Sequence, residues 1–192
     1  MAERLNAAVS KIVVQLIVVP RVRIPAPPPF LNRGRRLMID RVVDVNITEF
    51  PEISEELRYN LQVALSEGMR VLSEAKNDES FAPFTAIVVG DEILFNPYSA
   101  DDADKAFAEA IATVKNTENA KSYAFCYDGF IETDEGTKDA VIAEGGLANV
   151  EEGHAIAQLY TKNGDADSGT VEYEFMDKCG YLGAAPNFFT ED

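Results

Sequence analysis

His154 is the only histidine in this chain, which makes it the first residue to consider for proton transfer near neutral pH. The two thiols are Cys126 and Cys179, and the carboxylates of Glu151 and Glu152 lie just before the imidazole. A Cys–His or Ser–His–Asp set needs nucleophile, base and orienting group within hydrogen-bond reach. Nothing in the spacing brings these residues together. A single histidine at the start of a strand is the ordinary pattern of a structural or surface imidazole. The sequence therefore assigns no catalytic residue. It leaves a small-molecule or hydrolase pocket near His154 and the tyrosines as an alternative. Tyr123, Phe125, Tyr127 and Phe130 could stack a ligand, but such a run reads first as sheet core.

Two acidic groups have metal-like spacing. Asn163, Asp165 and Asp167 alternate, and Glu174 follows eleven positions after Asn163, close to the oxygen-ligand pattern of an EF-hand calcium loop. Ser168 stands where that loop requires glycine, Asn163 where it requires aspartate, and the flanks are strand-like. A polar hairpin turn is expected instead. Asp101, Asp102 and Asp104 cluster at the start of a helix, where acids complement the positive end of the dipole. There is no Gly-x-x-x-x-Gly-Lys, no Gly-x-Gly-x-x-Gly and no Cys-x-x-Cys. Neither cofactor nor metal is expected.

Charge divides the chain at Met38. Residues 1–37 hold seven basic groups and one acid, a net +6. Residues 38–192 hold ten basic groups and thirty-two acids, a net −22. That second part repels polyphosphate and anionic lipid, so no nucleic-acid partner and no stable membrane insertion are expected. Ile12–Val19 is strongly apolar but far shorter than the ~20 residues needed to span a bilayer. Pro25–Pro29 favours polyproline II, and Arg33–Arg36 is cationic. Residues 1–37 could be a targeting segment, a basic arm folded on the acidic part, or a stretch outside the working protein. The abrupt change of composition favours the last, with the natural start at Met38 and residues 1–37 a basic, proline-rich, disordered extension carrying at most a short strand or helix at Ile12–Val19. Residues 38–192 then form one acidic domain, and two sparse cysteines fit free thiols in a reducing cytoplasm.

The elements that must position these residues follow from periodicity. Ile39–Ile47 is a short lead-in strand. Ser54 caps a helix in which Leu57, Leu61, Leu65, Met69 and Leu72 recur every three or four residues, to about Lys76. Gly68 inside it signals a close backbone approach. Phe84–Val89 and Glu92–Phe95 form a hairpin on Gly90-Asp91, with glycine first as a type II′ turn requires. Ser99 caps a second helix with a stripe of Ala103, Ala106, Phe107, Ala110, Ile111 and Val114. Strands follow around Tyr123–Tyr127, Asp139–Glu144 (closed by Gly145-Gly146), Ala155–Thr161 and Val171–Phe175, with loop from Gly180. The expected fold is α+β: an antiparallel or mixed sheet of five to six strands with two helices packed on one face. The other face is then left wet or free to bind.

Two resemblances follow. Pro83-Phe84-Thr85-Ala86 in a first strand and Phe107-Ala108-Glu109 in the following helix resemble the zinc-dependent cytidine and adenine deaminase outline. There the helix normally reads His-Ala-Glu. Phe107 cannot ligate zinc, and no Pro-Cys-x-x-Cys follows Cys126, so the reaction is not implied and Glu109 is an ordinary helix-surface acid. The element order over residues 54–176 is also similar to roadblock and profilin-like α+β domains, by order rather than by motif. The reading reached from the residues is a non-catalytic cytoplasmic domain. It acts through contacts with a partner protein or, as a homodimer, with itself.

Overall fold

The computed structural model describes residues 12–16, 41–45, 53–75, 81–99, 103–133, 136–165 and 170–190, the first two segments as backbone. Ten elements follow in chain order: β1 (Ile12–Leu16), β2 (Arg41–Val45), α1 (Glu55–Glu74), β3 (Phe84–Val89), β4 (Glu92–Pro97), α2 (Ala103–Asn116), β5 (Ala120–Thr133), β6 (Gly136–Leu147), β7 (Glu152–Asp165) and β8 (Thr170–Pro186). β1 and β2 pair antiparallel, Ile12 opposite Val45, across the charge change at Met38. The rest of residues 1–37 lies outside the described residues, as do Asp101, Asp102, Asp167 and Ser168.

The fold is α+β, built on a six-stranded sheet in the order β4-β3-β5-β6-β7-β8, antiparallel at every pairing. Local chemistry explains the first elements. Ser54 accepts a hydrogen bond from the Leu57 amide, and Glu55 and Glu56 occupy the first turn of α1. Gly90 has φ 61° while Asp91 keeps negative φ, the type II′ signature that lets β4 fold directly back on β3.

The two helices cover opposite faces of the sheet, not one. β3 and β5 are buried on both sides, and the pleat sends alternate residues to opposite faces. Ala86, Ala124, Cys126, Val141 and Ala143 meet Leu57, Leu61, Leu65 and Leu72 of α1. Ile87, Tyr123, Phe125, Tyr127 and Ile142 meet Ala106, Ala110 and Val114 of α2. Side-chain size sets this choice. The leucine helix lies on small sheet residues and the alanine helix on large aromatic ones, so each layer fills the space the other leaves. Gly68 belongs to the same fit: a Cβ there would stand 2.7 Å from Cys126 Sγ and 2.8 Å from Val141 Cγ1. Asn60, fully buried on α1, ties the helix to the sheet by donating to the Ala86 carbonyl (3.2 Å) and to Ser122 Oγ (3.3 Å).

Four strands run further than their local patterns indicate, β5 among them, from Ala120 to Thr133. β6 passes through Gly145-Gly146 to Leu147 instead of closing there. β7 begins at Glu152, ahead of His154. β8 continues through Gly180 to Pro186 where a loop was expected. Pairing with β7 carries β8 through two register shifts, helped by Gly183 at φ 118° and by the Gln158 amide, which donates to the Met176 carbonyl. The Asn187–Thr190 turn then folds over the α2 face, where Phe188 stacks on Tyr123.

Candidate functional site

His154 sits near the start of β7, opposite Ala184 of β8, and its Nδ1 lies 2.9 Å from the Tyr181 hydroxyl. Burial holds the imidazole below its ordinary pKa, and the Glu152 carboxylate partly offsets this. Burial, and then Glu152, pushes the Tyr181 phenol up. The folded state thus prefers neutral His154. The unfolded chain binds that proton more readily, so stability is full above the ordinary imidazole value of about 6.5 and falls as pH drops below it. Urea unfolding between about pH 7.5 and about pH 5.5 should show this slope, and His154→Gln should flatten it, because no other histidine titrates there.

The structure does not complete a nucleophilic set around this histidine. Cys126 is buried beneath α1, and Cys179 is half-buried on β8. Burial raises both thiols, Cys179 to about 11, so both are protonated at neutral pH. Among the described residues neither donates to nor accepts from His154. Of the aromatic run, Tyr123, Phe125 and Tyr127 are core on the α2 side. Phe130 falls on the opposite parity, with Cys126, so these four residues do not form one face.

The other sequence candidates take structural places. Asn163 and Glu174 come together, Nδ2 to Oε2 at 3.2 Å, but on paired strands of a β7–β8 hairpin rather than between helices. Phe107 packs edge-on against Phe125 and Phe188 at 5.0 and 5.3 Å. Glu109 lies 3.8 Å from Lys105 on the α2 surface and lines an open groove of about 510 Å³ with Tyr98. Among the described residues, no group of three or more His, Cys, Asp or Glu is placed to hold a metal ion. No described helix is long and apolar enough to cross a membrane.

A second candidate surface is the β4 edge. Among the described residues, β4 pairs only with β3 and ends the six-stranded sheet. Beyond the two-residue turn, Glu92, Leu94 and Asn96 direct their backbone groups to β3, as the Tyr98 amide does to the Pro83 carbonyl at 2.8 Å. Ile93 and Phe95 therefore direct their N–H and C=O groups outward. Leu94 and Phe95 are 41% and 47% exposed, and Tyr59 on α1 is 61% exposed. Tyr59, Val63 and Phe95 line an open groove of about 380 Å³, bordered by Arg70 and Glu67. Arg70 bonds Glu67 through both Nε and Nη2, at 2.9 and 2.7 Å, and reaches Glu74 at 2.7 Å. Its guanidinium holds the Glu67 carboxyl below the usual range. Periodicity alone did not single out these apolar residues. The available signal was the unbroken run Ile93-Leu94-Phe95, which puts apolar side chains on both faces of the strand. Comparison with protein-family models, with curated proteins and with solved structures gives no match to this chain.

Proposed function

We propose that this protein is a non-catalytic cytoplasmic binding domain that takes up an extended protein segment along the β4 edge, with Tyr59 and Phe95 gripping its side chains. The observation that carries the reading is the β4 edge itself, which no other described strand pairs, flanked by exposed aromatic and aliphatic side chains. A strand added there gains main-chain hydrogen bonds from Ile93 and Phe95, and the groove beside α1 selects its side chains. Sheet edges of monomeric proteins are usually blunted by lysine, proline or bulges. Here Pro97 and the acids Asp91 and Glu92 sit at the two ends, and the centre carries no such device. The free thiols Cys126 and Cys179 fit a reducing compartment.

Displayed-peptide selection against the immobilised full chain tests this reading. Extended peptides with alternating apolar residues should be selected. Phe95→Glu should weaken them more than tenfold while the melting temperature changes little, because Phe95 is half-exposed at an edge. Selected peptides that bind wild type and Phe95→Glu equally would overturn it.

A further inference from the structure

We infer that the segment received by β4 is β4 of a second copy of this chain, paired antiparallel about a two-fold axis at Leu94. This rests on the edge-binding reading above. β4 is complementary to itself in one register. Outward backbone groups belong to Ile93 and Phe95, so Ile93 must oppose Phe95 of the second copy for both residues to exchange hydrogen bonds. That register places Leu94 against Leu94, Glu92 against Asn96, and the turn residue Asp91 against Pro97, which has no N–H to donate, so the ladder ends there. No like charges stand opposite one another, and Ile93, Leu94 and Phe95 each meet an apolar side chain. Leu94 lies on the α2 side of the strand, where it is exposed. Ile93 and Phe95 meet on the α1 side, beside Tyr59.

Charge predicts how such a pair responds to salt. Two copies each carrying −16 repel, but only charges within a Debye length, about 8 Å at physiological salt, are felt. Pairing of like copies must therefore tighten as salt rises. A basic partner on the same acidic protein would instead be released.

The full chain is examined by light scattering over a range of concentrations at low and high sodium chloride. The expected result is a monomer–dimer equilibrium that shifts toward dimer at high salt and is lost in Phe95→Glu. Register is tested by cross-linking. Thiols introduced by Leu94→Cys would face each other in a non-hydrogen-bonded pair, Cα atoms about 4.5 Å apart, within the disulfide range of about 4.4–6.8 Å. Diamide should join them into a dimer, itself being reduced to the hydrazine as the two thiols lose two electrons and two protons. Glu92→Cys alone should remain uncrosslinked, and mixed with Asn96→Cys it should form the mixed dimer. A chain that stays monomeric at every concentration, with Leu94→Cys uncrosslinked, overturns the second-copy inference. If selected peptides still bind wild type and fail on Phe95→Glu in that case, the edge reading stands alone. If they do not, both fall. A dimer in which Glu92→Cys links to itself and Leu94→Cys does not overturns the register.

Discussion

Phe188→Ala should lower the stability of this protein by about 4 kcal/mol, the range for truncating a buried phenylalanine. For a chain of this size that is a fall of roughly 8–16 °C in melting temperature. Phe188 is fully buried although it lies beyond the last strand. Its ring stacks on Tyr123 at 4.7 Å, meets Phe107 at 5.3 Å and Phe125 at 5.9 Å, and its amide donates to the Tyr123 hydroxyl at 2.9 Å. It packs with the alanine face of α2 and with Leu182 and Ala185 of β8. Truncation leaves a cavity lined by rings that cannot collapse together, because Tyr123 and Phe125 are fixed by the β5 ladder. Phe188→Leu should recover more than half of the loss. Thermal unfolding followed by circular dichroism measures both, and a change under about 1 kcal/mol for the alanine variant would show that the Asn187–Thr190 turn is not part of the core.

Gly145→Ala should cost about 3 kcal/mol, at the upper end for overpacking, because the obstacle is backbone. A Cβ at Gly145 would stand 2.1 Å from the Tyr123 carbonyl oxygen. Neither a rotamer change nor a flexible side chain can relieve that contact. Either β5 and β6 separate near the Ser122–Leu147 end of their ladder, or the β6–β7 pairing shifts, where Gly145 opposes His154 and Gly153 lies beside it. Gly180→Ala is the matched control. Its added carbon has Ala157 O as nearest neighbour at 3.9 Å, so it should lie within about 0.5 kcal/mol of wild type. Equal stability of the two variants by urea unfolding would refute the close strand approach at Gly145.

Much of the first half of the fold was legible because its signals are local. Ser54 followed by a leucine stripe specifies α1, Gly90-Asp91 specifies the hairpin, and the alanine-rich stripe specifies α2. Gly68 announced a close backbone approach, but what stands against it is side chain, Cys126 Sγ and Val141 Cγ1. The second half was less legible because its strands depend on partners. Gly145-Gly146 and Gly180 look like breaks, and only neighbouring strands hold them extended. The candidate site was legible in its residues but not in its place. Ile93-Leu94-Phe95 reads as an ordinary return strand until the sheet order shows that, among the described residues, no strand pairs on its outer side. The histidine and the acidic spacings drew attention by residue type, and geometry gave them a phenol partner and a hairpin.

By itself the amino-acid sequence determined what local free energy controls: caps, turns, periodicity, the acidic excess and the absence of phosphate and zinc motifs. Tertiary structure alone decided which face each helix covers, since either apolar stripe could lie on either side of a doubly buried β5. The answer came from matching large leucines to small sheet residues and small alanines to aromatic ones. It likewise decided which strand lies outermost, because strand order depends on contacts among segments far apart in the chain, and no local pattern encodes that.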